Sequence, residues 1–248
     1  MKTIVISDLH NQVSWVEGYL ASTTYDEVVF LGDYFDNFYD SLVDIKRAAE
    51  WLKNSLKQRN RIHLWGNHDL WYAHPLAKGL HCSGNTSEKQ VTIEGVLDAD
   101  DWQQLRLCYF SQNFLFSHAG IHKSWALHSI KGFDYQYLTE ICEEALTYAK
   151  CGHTPRLLRA GWSRGGDLPV GGITWLDYDT EFVPINGIHQ IVGHTPHPNP
   201  LGKGIYKASP NRKDSLSNNY DVDFANRYIT IVQDGVVSHE KSPFFNDN

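Results

Sequence analysis

Short, almost wholly apolar runs recur along the chain, and each ends abruptly in polar residues. Lys2–Ile6 leads into Asp8 and His10, Val28–Leu31 into Gly32 and Asp33, and Ile62–Trp65 into Gly66–Asp69. Phe114–Phe116 leads to His118, and Ile188–Val192 to Gly193 and His194. Runs this short, with little alternation, predict strands covered on both faces. Ser41–Lys57 places Leu42, Ile45, Ala48, Ala49, Leu52 and Leu56 on one stripe behind a Ser41/Asp44 capping pair, and predicts a helix. Asp134–Lys150 repeats the pattern with Leu138, Ile141, Ala145 and Tyr148, and a further helix is expected over Asp98–Leu107. Strands alternating with helices predict an α/β layered fold. At the tail, Tyr228–Gln233 and Val236–His239 flank Asp234-Gly235, a hairpin pattern. Gly152–Gly172 and Pro196–Ser217 read as long loops, the first a candidate cap or insertion over a site.

Composition narrows the picture. The 248 residues carry 22 Lys+Arg against 29 Asp+Glu, a formal net charge of −7, with 42% hydrophobic residues. That balance is globular, and a chain of this size buries a large core without disulfides; one domain over residues 1–248 is expected. The acidic excess argues against a nucleic-acid duplex as partner, which calls for a basic stripe. No apolar run approaches the ~18 residues of a membrane span, and the N-terminal Met1–Asp8 turns acidic too early for a signal peptide. Cys82, Cys108, Cys142 and Cys151 form no C-x-x-C pair and are read as reduced, mostly packed thiols of a cytoplasmic protein.

Ligands of open α/β sheets bind beyond the carboxyl ends of strands, so the polar residues that close the runs carry the chemistry. Asp8-x-His10 alone means little, because random order gives roughly one D-x-H in such a chain. Gly66-Asn67-His68-Asp69 is expected only about 0.005 times. With Gly32-Asp33-Tyr34-Phe35-Asp36, Ser117-His118-Ala119-Gly120 and Val192-Gly193-His194-Thr195-Pro196 in order after strands, chance explains the set poorly. In this order of motifs the chain resembles the calcineurin-like metallophosphoesterases, most of all the phosphoprotein-phosphatase-like branch that includes phage and bacterial phosphatases and diadenosine tetraphosphatases. The resemblance covers Asp8 to His194. It implies a four-layer α/β/β/α sandwich with two packed mixed sheets, and a pair of divalent metal ions. Asp8, His10 and Asp33 would hold the first ion; Asn67, His118 and His194 the second, with Asp33 bridging. Oxygen and imidazole donors without thiolate suit Mn²⁺ best, with Fe or Zn as options. By the same resemblance His68 would be the general acid and Asp36 the residue that orients it. Asp69 is read as a structural hydrogen-bond partner.

The pattern departs from that family in three places. Asn37-Phe38 follow Asp36 where an Arg usually grips substrate phosphate, and Trp175-Leu176-Asp177 puts an acid where a second Arg is common. Arg164, Arg156 or Arg159 could compensate from the loop, since bidentate phosphate capture favours Arg; Arg164 is the foremost substrate-binding candidate. The final motif lacks the second His of nuclease-like branches: Pro196 stands there and His197 comes one residue late. A metal-dependent phosphomonoesterase acting on a phosphoprotein or a small phosphorylated metabolite is the expectation. A nucleotide phosphodiesterase or dinucleoside polyphosphate hydrolase is the first rival, with Trp65, Trp71, Tyr72, Phe35, Phe38 and Tyr39 as possible base-stacking groups. A metal-stabilised binding module without catalysis is the second.

Overall fold

The computed structural model describes all residues except 38, 127–133, 198–210, 214–215 and 244–248. Two five-stranded mixed sheets form the centre. The first runs β10 (Val236–Lys241), β9 (Tyr228–Gln233), β1 (Lys2–Ile6), β2 (Glu27–Phe30), β3 (Arg61–His63). Here β1, β2 and β3 are parallel, and β9 and β10 form the antiparallel hairpin expected from Asp234-Gly235. The second runs β4 (Cys108–Ser111), β5 (Phe114–Ser117), β6 (His189–Val192), β8 (Asn218–Asp221), β7 (Asn211–Lys213), with β5, β6 and β8 parallel.

Alternation along each strand explains the layers. Val5, Val29 and Val232 of the first sheet meet Phe114, Phe116 and Ile191 of the second in a buried layer between the sheets. The opposite face of the first sheet, Ile4, Ile6, Val28 and Phe30, packs on α1 (Val16–Ser22) and α2 (Leu42–Ser55) through Val16, Leu20, Ile45, Ala48 and Leu52. On the outer side of the second sheet, Cys108 and Leu115 share a core with Leu138, Cys142, Ala145 and Ala149 of α7 (Tyr135–Lys150). Strands with both faces covered have no solvent side, which is why their sequences run apolar without a polar phase. The result is the four-layer α/β/β/α sandwich. Among the described residues no helix is long and apolar enough to cross a membrane. Cys82, Cys108 and Cys142 are buried free thiols and Cys151 is exposed.

Expected boundaries shift in places. α2 begins behind the Ser41/Asp44 capping box, as the stripe predicts. The helix expected over Asp98–Leu107 stops at Trp102, leaving the single turn α5 (Ala99–Trp102). Sheet pairing takes over downstream: Arg106 donates its N–H to the His63 carbonyl at 3.0 Å and accepts the Trp65 N–H at 2.9 Å. Ladder bonds at an open edge outweigh helix propensity there. The 196–217 segment, read as loop, lies largely outside the described residues, yet Asn211–Lys213 forms β7. Polar β8, Asn218–Asp221, also gave no apolar run to read.

Parallel strands point their carboxyl ends to one rim. β1, β2 and β3 therefore deliver Asp8, Asp33 and Asn67 beside His118 and His194 from β5 and β6.

Candidate metal centre

Most candidate side chains follow a strand closely, and at five of them the backbone is strained. Asp8, His10, Asp33, Asp36 and His194 all have positive φ, between 42° and 73°. Non-glycine residues seldom adopt this conformation, which persists only where surrounding structure enforces it. Two glycines near these turns act by size rather than flexibility. Gly66 has an ordinary φ of −96°, but a Cβ there would collide with the Asp33 carboxylate, and one at Gly193 with Ser7 and Asp8. Close approach of neighbouring loops, rather than a sharp turn, is why glycine stands at both. Gly32, at φ +101°, does need glycine's freedom.

Six residues converge. One oxygen or nitrogen each from Asp8, His10 and Asp33 lies within 4.8 Å of the others, and Asp33, His118 and His194 form a second such set. Asp33 belongs to both. Asn67 joins the second set, its Oδ1 2.9 Å from His118 Nε2. The imidazoles are anchored from behind: His118 Nδ1 sits 2.8 Å from the Leu31 carbonyl and His10 Nδ1 2.8 Å from the Phe35 carbonyl. A carbonyl only accepts, so each Nδ1 carries the proton and each Nε2 presents a lone pair, the arrangement of a metal-binding histidine. Around His118 Nε2 stand Asn67 Oδ1, His194 Nδ1 at 3.2 Å and Asp33 Oδ2 at 3.5 Å. A knot of facing lone pairs is repulsive unless a cation neutralises it. The donor set fits divalent metal.

Electrostatics says the same. Burial alone would raise the Asp33 carboxyl pKa, but His118, His68, His10 and His194 together hold it well below the ordinary range. Burial raises Asp8, with Asp33 adding repulsion, and burial with His118 keeps His194 well below its usual value. The centre is thus a nest of buried carboxylates beside imidazoles.

Asp69, fully buried, accepts N–H groups from Asp33 at 2.8 Å, Tyr34 at 2.9 Å and Gly66 at 3.0 Å. It staples the turn after β2 to the start of α3 (Asn67–Ala73). Asp69→Ala leaves three buried N–H groups without a partner and is expected to cost roughly 3 kcal/mol of stability, read as a lower urea midpoint with an unchanged slope. An unaltered midpoint would show the staple is dispensable.

Beside the six, His68 Nδ1 lies 3.1 Å from Asp36 Oδ2. Burial would lower the His68 pKa, but Asp33 and Asp36 overcome it and hold the ring well above its usual value. The Asp36 carboxylate also receives Tyr72 Oη at 2.6 Å, Asn85 Nδ2 at 2.6 Å and Lys89 Nζ at 2.9 Å. None of these three was singled out for this role from sequence: Asn85 and Lys89 lie at least 49 residues from Asp36, and no motif ties them to it.

A cavity of about 450 Å³ opens onto this rim, lined among others by Asp8, His10, Asp33, Asn67, His68 and His194. Arg164 lines it too. The other two arginines point elsewhere: Arg159 pairs with Asp167, and Arg156 sits 5.9 Å over the Trp125 ring. Asp223, two residues past β8, and Trp175 complete the wall. Most of the proposed stacking aromatics are not available. Trp65, Tyr72 and Phe35 are core residues at 2%, 1% and 0% exposure, and Trp65 stacks on Trp102. Trp71 packs edge-on against His81, Tyr39 is exposed away from the cavity lining, and Phe38 lies outside the described residues.

The chain is similar to several known proteins. A point mutant of a cold-active protein tyrosine phosphatase shares the fold with a TM-score of 0.55 and 16% identity, over 97% of this chain and 80% of that one. A metallophosphoesterase from Sphaerobacter thermophilus matches at TM-score 0.48 and 15% identity, over 98% and 88%. A Saccharomyces cerevisiae serine/threonine phosphatase similar to human PP5 matches at 0.47 and 12%, over 100% and 82%. No curated protein matches the chain. The family model for calcineurin-like phosphoesterase matches residues 1–224. With its motifs in order and their side chains gathered at one rim, the chain belongs to the calcineurin-like phosphoesterases, metal-dependent hydrolases of phosphate esters.

Proposed function

We propose that the protein is a phosphomonoesterase of the phosphoprotein-phosphatase-like branch, acting on a phosphoprotein or a small phosphorylated metabolite. The observation that carries the reading is the juxtaposition, on one cavity, of two donor sets sharing Asp33, the His68–Asp36 pair, and a single guanidinium from Arg164. Asp8, His10 and Asp33 would hold one divalent ion and Asp33, Asn67, His118 and His194 the other, with Mn²⁺ best matched to oxygen and imidazole donors. Bound ions supply an activated water and offset charge on the phosphoryl group. His68 gives a proton to the departing alkoxide from the nitrogen that Asp36 does not hold, and Asp36 fixes the ring's orientation. Arg164, carried by the 152–172 segment, takes the phosphate oxygens. The buried free thiols Cys82, Cys108 and Cys142 suit a reducing, cytoplasmic setting.

Withdrawal of Trp65, Tyr72 and Phe35 into the core leaves Trp175 as the one Trp, Tyr or Phe among the described residues lining the cavity, less than the stacking platform a nucleotide diester or dinucleoside substrate would use. The His68–Asp36 pair speaks against a binding module without catalysis. With Mn²⁺ supplied, kcat/KM for p-nitrophenyl phosphate is expected to exceed that for bis(p-nitrophenyl) phosphate by about tenfold or more, a 1.4 kcal/mol preference. A diester preference would overturn the monoester assignment, and inactivity toward both with two metals bound would favour the binding module.

A further inference from the structure

We infer that Asp177 is the positioning residue that aims Arg164 into the cavity, an inference that rests on the phosphatase reading above. Arg164 is the one arginine among the described residues lining the cavity, and Asp177 does not line it. The Arg164 Nε lies 2.8 Å from Asp177 Oδ2, and its Nη2 donates to Thr195 Oγ1 at 3.0 Å. The Nε–Nη2 edge of the guanidinium thereby faces Asp177 and Thr195, which leaves the Nη1 end to meet a ligand. A fork presented end-on in this way can still form two parallel bonds to a phosphate.

Both holders are themselves fixed. Asp177 Oδ1 accepts the Thr180 N–H at 2.9 Å and its hydroxyl at 2.8 Å, which turns Oδ2 toward the arginine. Thr195 Oγ1 also accepts the Tyr178 N–H at 3.0 Å, and Thr195 directly follows His194. The guanidinium is thus referenced to the metal-binding turn itself. Glu181 secures the loops that meet there, accepting N–H groups from Ser163 at 3.1 Å, Gly171 at 2.9 Å and Asp177 at 3.3 Å. Arg164 sits in a single turn, Trp162–Arg164, closed by Gly165 at φ +77°. A free arginine on such a turn would sample many rotamers; held along that edge, it loses little freedom on gripping phosphate. The acid in Trp175-Leu176-Asp177 therefore serves a base brought in from another loop.

The test is binding of orthophosphate, by calorimetry and as a competitive inhibitor, together with KM and kcat for p-nitrophenyl phosphate in the Mn²⁺-loaded protein. R164A is expected to weaken phosphate binding by roughly 30-fold and D177N by roughly tenfold, the latter mostly in KM with kcat within about threefold. D177E should recover most of the loss, and D177N should add little on the R164A background. A D177N protein with unchanged phosphate affinity, where R164A loses it, overturns the inference and leaves the clamp reading intact. An equal D177N loss on the R164A background also overturns it, because Asp177 would then act without the arginine. Unchanged binding in R164A removes the clamp itself and the inference with it. Should D177N fail to fold, T180V loosens the same carboxylate, and a phosphate affinity unaltered there overturns the inference equally.

Discussion

Asp33→Asn is expected to remove stoichiometric divalent metal and to lower turnover of p-nitrophenyl phosphate by on the order of 10³ or more. Asp33 is the one residue common to both donor sets. Its Oδ2 stands 3.5 Å from His118 Nε2 and 3.8 Å from His10 Nε2, while Oδ1 accepts the His68 N–H at 3.0 Å. Loss of one well-placed electrostatic contact in an active site already costs about 10²–10³, and here the missing charge would be one shared by both cations. An amide oxygen can still accept the His68 N–H, and asparagine tolerates the φ of 54° better than most residues. The fold should therefore survive, so metal content by elemental analysis and turnover can be read on a folded protein. Asp8→Asn, which touches only the first set, should lose one ion and keep the other. An Asp33→Asn protein that retained two ions per chain would end the shared-ligand account.

How much of this was legible beforehand depended on what kind of signal each part leaves. Sheet strands covered on both faces write themselves as apolar runs, so β1 is read to the residue and β2, β5 and β6 to within one. Side chains that must sit at the ends of such strands appear as short ordered motifs, and all six candidate donors meet in space. Elements with no such constraint stayed hidden. β8 buries the polar Asn219 and Asp221 and so leaves no apolar run, and α4 (Ser87–Glu94) has only one buried residue, Ile93, too few to mark a stripe. That helix nevertheless delivers Lys89 to Asp36. The Asp177–Arg164 pair was invisible for a further reason. Its two members lie on separate loops, and only the tertiary fold says that an acid and a base at unrelated positions share one edge. Positive φ at five site residues is likewise a property of assembled loops: Asp and His tolerate it better than most residues, but that preference is too weak to announce it.

His68→Asn should reduce kcat for phenyl phosphate by roughly 10²–10⁴, the usual scale for a lost proton donor, with both ions still bound. The backbone N–H of residue 68, not its ring, contacts Asp33, so the substitution leaves the donor sets as they are. What it removes is a ring that is 17% exposed, whose Nδ1 side is occupied by Asp36 and whose pKa the neighbouring carboxylates hold well above its ordinary value against the pull of burial. Asp36 holds the Nδ1 side of the ring, and a phenolate leaving from phosphorus is the base that takes a proton from the other nitrogen. The loss should therefore track the leaving group: large for phenyl phosphate, small for 2,4-dinitrophenyl phosphate, whose phenolate departs without help. Asp36→Asn should follow the same trend with a smaller loss, because the ring remains but its orientation and charge are no longer held. The steepness of rate against leaving-group pKa, compared between wild type and H68N, is the measurement that decides. Equal slopes, with two metals bound in each, would take the proton from His68.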